Sequence, residues 1–299
     1  MNSSVGTSAI TPFKQEDLCN LLNDQIGFAF GVYQKWGKEK YYNNDCYQNC
    51  FIDCTAGDMN PNSKTSPRTF LNKLREFKNY PSKLTLIEEK PETFIELSNN
   101  VNTENKQSGY YISPSLFIDD FYLQNNVKIP PDLKVLNISM QKYLSELHPN
   151  KYRYGLLYFD SNGFQMEEYN AVFNFLKQNP RMDVILNINT SKLNGLRNIH
   201  KNPHFKVYHN FYLNNLFQNL KKDYIWIRDN VKLKDIEDHC HYKYLMIFGT
   251  NTEKIILPKK YNFVLLNSKL DNDKKRIENI LNNYNLTQKE KENGINSTN

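Results

Sequence analysis

Short apolar runs alternate with amphipathic stretches along the first two thirds of the chain. Glu16 to Phe30 places Leu18, Leu21, Leu22, Ile26 and Phe30 at helical spacing. Cys50-Phe51-Ile52-Asp53 is a short run of apolar, aromatic and β-branched residues closed by a carboxylate, which fits a strand covered on both faces. The pattern then predicts a helix over Arg68 to Phe77, a strand over Lys83 to Glu88, a helix over Pro91 to Asn100 and a polar connection over Asn102 to Gly109. It goes on to a strand over Leu133 to Ile138, a short helix over Met140 to Leu147, and a strand over Tyr154 to Phe159. A helix over Glu167 to Gln178 and a strand over Met182 to Ile188 complete this part. Tyr110 to Asn125 fits neither period. Strands alternating with helices at this spacing predict an α/β fold with a doubly wound, mainly parallel sheet.

Beyond about residue 200 the rhythm changes. Leu213 to Leu220 reads as helical, and Tyr224 to Arg228, Tyr242 to Phe248 and Phe263 to Leu266 read as strands with no helix between them. Such strands pair antiparallel, so the C-terminal edge of the sheet is expected to be antiparallel. Asp271 to Tyr284 reads as a charged helix.

Composition narrows the classes. The 299 residues suffice for one large domain or two modest ones. The net charge of +6 permits an anionic partner but falls short of a dedicated nucleic-acid arm. No apolar run reaches the ~18 residues of a membrane span. Met1 to Thr11 lacks the basic-then-apolar order of a signal peptide, so a cytoplasmic location is expected. Five cysteines, an odd number, argue against a disulfide framework. Cys46-x3-Cys50-x3-Cys54 lacks zinc-knuckle spacing and reads as buried small residues. His239-Cys240-His241 has no second cluster to complete a metal site, and no metal is expected.

In an open α/β sheet, ligands bind beyond the carboxyl ends of the strands. Three predicted strands end there in acids: Asp53, then Glu88-Glu89, then Asp160. Ala56-Gly57 makes a small-residue turn after the first, and an acid after the second suits a ribose diol, because a carboxylate accepts both hydroxyl hydrogen bonds. Neither a P-loop nor G-x-G-x-x-G is present, which points away from nucleotide triphosphates and NAD and toward S-adenosylmethionine. Tyr33 to Tyr42, basic and aromatic and including Trp36, reads either as a groove lining or as a cap on the core. Asn187-Ile-Asn189-Thr190, with Lys192 and Arg197, reads as a solvated loop or a phosphate contact.

The order Asp53-x-x-Ala56-Gly57, Ser66-Pro67, Leu-Ile-Glu88-Glu89 and Tyr-Phe-Asp160-x-Asn162-Gly163 resembles class I S-adenosylmethionine-dependent methyltransferases. It is similar in particular to the three-Cys-motif partner group and its phage and mobile-element relatives, over roughly residues 45 to 190. The resemblance implies a Rossmann-like sheet. It places Asp53, Ala56 and Gly57 at the methionine part of the cofactor, Glu88 on its ribose and Ser139 at its adenine. Asp160 and Asn162 would face the methyl acceptor; by their own chemistry Trp36 and Phe164 could stack on a flipped base and Lys192 could contact a phosphate. Taken with the residue pattern on either side, the chain reads as a flexible tail (1–13), a methyltransferase-like domain (14–200), a C-terminal extension (201–285) and a disordered tail (286–299). The strand-end set together with the mild basic excess points to a nucleic acid as partner, DNA ahead of RNA, methylated at a base amine.

Three departures stand against the pattern. Met59 occupies the place of the loop's second glycine, Ser139 that of an acid, and Ser161 that of a proline. They motivate a second reading, a catalytically degenerate subunit that works with a protein partner of a mobile-element or defence system. A third reading is a nucleic-acid-binding module whose enzyme-like sheet is incidental.

Overall fold

The computed structural model describes residues 11–37, 48–77, 80, 82–107, 132–150, 153–161, 166–189, 216–229 and 244–280. The chain divides into two compact units. One is Met1–Phe159 with Glu167–Asp183, and the other is Asp160–Met166 with Val184–Asn299.

The first unit is built on parallel strands. β1 (Gln48–Asp53) pairs with β2 (Lys83–Ile87) on one side and with β4 (Arg153–Ser161) on the other, and β2 pairs with β3 (Asp132–Leu136). The order β3-β2-β1-β4 is that of the doubly wound α/β fold, as expected from the pattern. Position in this order explains composition. Central β1 buries Phe51 and Ile52 almost completely and β2 buries Leu84, Leu86 and Ile87, so both read as continuous apolar runs. β3 has one neighbour in this unit, leaves Asp132 and Lys134 exposed, and alternates accordingly.

The helices follow the expected periodicity. α1 (Thr11–Val32) buries Leu18, Leu21, Leu22 and Ile26. It begins inside the stretch read as a tail. α2 (Ser66–Glu76) turns Phe70, Leu71 and Leu74 inward, and Pro67 sits in its first turn, where a missing N–H costs nothing. Phe70 packs edge-on against Phe51 of β1 and Tyr158 of β4, with ring centroids 6.4 and 6.2 Å away. α4 (Met140–Glu146) and α5 (Met166–Gln178) follow, the latter burying Tyr169, Val172, Phe173 and Leu176 at i, i+3, i+4 and i+7. The π-helical turn Tyr33–Gly37 after α1 answers the cap question for Tyr33. That ring is buried and lies 5.8 Å from Tyr80.

One expectation is corrected. α3 runs Pro91–Gln107, through the residues read as a polar connection. Its last turns lack apolar periodicity. They are held by Glu104, which forms ion pairs with Arg68 at 3.1 Å and Arg75 at 3.2 Å, both on α2.

Gly155 lets β4 approach β1 closely. It pairs with Cys50 and takes φ +125. A Cβ at this position would fall on the Cys50 carbonyl oxygen.

The second unit holds the antiparallel strands, in the order β5-β7-β6-β8. β5 (Met182–Asn189) pairs with β7 (Tyr244–Thr250), β7 with β6 (Tyr224–Arg228), and β6 with β8 (Phe263–Leu265), all antiparallel. Residues 271–280 are helical and bury Ile277 and Ile280.

Candidate functional site

The loop after β1 is gripped from both sides. Asp53 is fully buried, and its Oδ1 accepts the Thr55 N–H at 3.1 Å. Asx geometry of this kind turns the chain locally. The Cys54 N–H donates to the Tyr158 carbonyl of β4 at 2.9 Å, and the Ala56 N–H donates to the Ile87 carbonyl of β2 at 3.0 Å. Gly57 then enters the left-handed region at φ +68, and among the described residues nothing lies within 4 Å of where its Cβ would be. The backbone is therefore exposed to close approach at the position where the sequence anticipated it.

Glu88, one residue past β2, faces this loop. Its Oε2 accepts the Gly57 N–H at 3.1 Å, and its Oε1 accepts the Lys90 N–H at 2.9 Å. Its own N–H donates to Leu136 O at 3.1 Å. Asn137, just past β3, donates Nδ2 to the carbonyls of both Glu88 and Glu89 at 2.9 Å. The ends of β1, β2 and β3 are thus tied together through one carboxylate and its backbone. Each carboxylate oxygen has two lone pairs, so acceptor capacity remains. Between the two adjacent glutamates, Glu88 is the one turned to the loop, while Glu89 is exposed. Asn137 was not singled out from the sequence. The available signal was an amide one residue past a strand and two before a helix cap.

Ser139 caps α4. Its side chain accepts the Lys142 N–H at 3.3 Å, in the ordinary N-cap position. That is the structural work the adenine-side candidate does here.

Met59 keeps the glycine-like backbone without the glycine. Its φ is +54 and its side chain is fully buried. Downstream the loop is pinned. Asp58 Oδ1 accepts the Asn60 N–H, and Asn100 Nδ2 donates to the Asp58 carbonyl at 2.8 Å. Arg68 Nη1 donates to the carbonyls of Asn60, Pro61 and Ser63 at 3.0–3.1 Å.

The electrostatics near this loop are acidic. Burial, together with the carboxylates of Glu89 and Glu167, raises the Glu168 carboxyl above its ordinary value. Burial, with Asp53 and Glu168, pushes the Cys54 thiol well up, so it is a neutral core group. Cys50 is also buried and raised, chiefly by burial, and the reading of both as small buried residues holds. The folded state keeps the Glu168 proton at pH values where the unfolded chain has released it. Stability therefore falls as pH rises from the ordinary carboxyl range through the raised value. Glu168→Gln is expected to flatten that part of the curve, read as the urea midpoint between pH 4 and 8.

In the second unit, Asp160 Oδ1 accepts a hydrogen bond from Asn187 Nδ2 at 2.7 Å. Asn187 is 1% exposed on β5, so it is neither a solvated loop residue nor a surface phosphate contact. Its Oδ1 is buried without a hydrogen-bond partner among the described residues.

Trp36 is in the turn after α1, its side chain outside the described residues. Asn162, Phe164, Lys192, Arg197, Cys46 and His239-Cys240-His241 also fall outside them. Among the described residues no group of three His, Cys, Asp or Glu is placed to hold a metal ion, and no helix is long and apolar enough to cross a membrane.

No family model matches the chain, and no curated protein does. Solved structures with a similar arrangement include a protein from Legionella pneumophila, with 10% identity and a TM-score of 0.44 over 82% of this chain and 88% of that one. An rRNA methylase from Streptococcus thermophilus has 7% identity and a TM-score of 0.35, over 69% of this chain and 88% of that one. A candidate methyltransferase from Streptococcus mutans in complex with SAH has 9% identity and a TM-score of 0.37, over 68% and 89%. All three scores are below 0.5, so the fold assignment rests on the strand pairing above.

Proposed function

We propose that the chain is an S-adenosylmethionine-dependent methyltransferase acting on a nucleic acid, at a base amine. The observation that carries this reading is Glu88. A carboxylate at the end of the second parallel strand is held against a left-handed glycine in the loop after the first. The open space beside Gly57 fits a ligand brought close to backbone, and the spare lone pairs of Glu88 fit a ribose diol. Bound there, the cofactor supplies a methyl group on a cationic sulfonium, already electrophilic. The chain's own task is alignment of donor and acceptor. Gly57 and Glu88 would hold the nucleoside end, with Asp53 shaping the loop from beneath. Asp160 is the candidate group for the acceptor amine, whose N–H its carboxylate would accept. A base in a duplex would first be turned out of the stack.

Titration calorimetry with S-adenosylmethionine tests this directly. Micromolar binding is expected for the wild-type chain, with at least a tenfold loss in Glu88→Ala. Methyl transfer from labelled cofactor is then assayed on DNA and RNA separately. Binding unaffected by Glu88→Ala, or transfer to neither polymer, sinks the reading.

Met59 favours the second reading. Its fully buried side chain occupies the stretch where a second glycine would leave backbone bare. A degenerate subunit would show no cofactor heat in the same titration and would co-purify with another protein.

A further inference from the structure

The basic excess of the chain is not evenly shared. The unit containing β1 to β3 carries 19 Lys and Arg against 20 Asp and Glu, whereas the unit containing β6 to β8 carries 19 against 12. The formal charges are therefore −1 and +7, and the net +6 resides in the second unit.

Strand register places part of that charge. Leu186 of β5 pairs with Ile247 of β7, Ile247 with Ile227 of β6, and Ile227 with Val264 of β8. One residue toward the carboxyl ends of β5 and β6 lie Asn187, which holds Asp160, and Arg228, while Phe263 lies beside Val264 on that same edge. The 3₁₀ turn Lys259–Tyr261 leads into Phe263. It thus stands on the same edge of the unit as the Asp160–Asn187 pair, three strand spacings away, or about 14 Å.

The turn is rigid and its cations are available. Tyr261 N–H donates to Pro258 O and Asn262 N–H to Lys259 O, at 3.0 and 3.1 Å. Buried Arg228 donates Nη1 to the Tyr261 carbonyl at 2.8 Å, and Asp229 N–H donates to Asn262 O at 2.7 Å. Asn262 closes the turn at φ +55. Lys259 and Lys260 are exposed, and neither pairs with a carboxylate among the described residues. Lys260 Nζ instead lies 5.4 Å from the centre of the Tyr261 ring. By contrast Arg276, on the helical residues 271–280, is neutralised by Asp229 at 2.9 Å.

We propose that the Lys259–Tyr261 turn is a docking surface for the phosphodiester backbone flanking the target base. Two exposed ammonium groups that meet no carboxylate among the described residues, on a hydrogen-bonded turn, suit phosphates, which need charge without base readout. Their place on the Asp160 edge would let one strand reach both. This rests on the methyltransferase reading only for why a nucleic acid would be there. The binding claim stands by itself.

The test is anisotropy titration of labelled single-stranded DNA, single-stranded RNA and duplex against the full chain over a salt series. Lys259→Gln/Lys260→Gln is expected to weaken binding about tenfold near 0.1 M salt. It should lower the slope of log K against log salt by about 1.4 for single strands, the contribution of two phosphates. Its melting temperature and S-adenosylmethionine affinity should match wild type. The polymer that shows the loss identifies the source of the backbone. An unchanged affinity and slope overturn the proposal, as does absence of binding to all three polymers at low salt. If the wild-type chain binds no S-adenosylmethionine but the variant still loses oligonucleotide affinity, the docking surface is upheld and the methyltransferase reading fails.

Discussion

Gly155→Ala is expected to destabilise the first unit severely. The added methyl would overlap the Cys50 carbonyl oxygen and come within 3.0 Å of the Cys50 nitrogen. These are backbone atoms in the central strand pair, so no side-chain rotation relieves the overlap. The residue also sits at φ +125, outside the regions open to a residue with a Cβ. Relief requires β1 and β4 to separate where Phe51, Ile52, Leu156 and Leu157 are packed with almost no exposure. The cost should reach about 4 kcal/mol or more, against a total stability of about 5–15 kcal/mol. Urea unfolding and soluble yield measure it. Gly249→Ala is the comparison, since a Cβ there meets the flexible Lys222 side chain and a Val184 methyl, each at 3.0 Å. Overpacking of that kind costs about 1–3 kcal/mol. Equal stabilities for the two variants would refute the steric account.

Asn187→Asp is expected to make stability strongly pH-dependent. The substitution places a second carboxylate at hydrogen-bond distance from Asp160, where Asn187 Nδ2 now donates at 2.7 Å and is almost wholly buried. Two carboxylates so placed cannot both ionise cheaply, and the pair holds one proton to well above the ordinary range. In the unfolded chain both release theirs near pH 4. The folded variant thus binds the extra proton between about pH 4 and the raised value, and stability falls as pH climbs through that window. Near pH 4 the variant should approach wild type. At pH 8 it should be less stable by about 3 kcal/mol, each pH unit of the window contributing about 1.4 kcal/mol. Adding Asp160→Asn restores a single carboxylate facing an amide and should recover most of the loss. A pH-independent deficit, or no rescue, would show that Asn187 is merely packed.

Much of the architecture was legible because burial on both faces leaves its mark on composition. The runs at Phe51, Leu84 and Leu156 announced strands, and the Phe70-Leu71-Leu74 spacing announced α2. What escaped depended on contacts distant in sequence. The end of α3 is polar and looks like a connection until Glu104 meets Arg68 and Arg75. At the candidate site, Asp53, Gly57 and Glu88 were identifiable from strand ends and a small-residue turn. Asn137 was not, because its function is visible only when β2 and β3 lie side by side. Ser139 opens α4 and caps it through the backbone three residues on, a contact local enough to be read from a serine before a helix. Asn187 was misread because polar residues at the end of a strand resemble a loop.

The pairing of Cys50 with Gly155 also governs when the first unit can assemble. The partner strands of β1 are unequally distant. β2 follows within about 30 residues, but β4 arrives about 105 residues later. Loop-closure entropy makes the second event slower, and during synthesis β1 would wait with one hydrogen-bonding edge bare. That edge is flanked by Phe51 and Ile52, an apolar strand of the kind that recruits other chains. The antiparallel set β7-β6-β8, complete within residues 224–265, carries no such delay. The nascent chain is therefore most exposed to misassociation before residue 153 has left the ribosome, and its aggregation during expression should depend on translation rate more than on final stability.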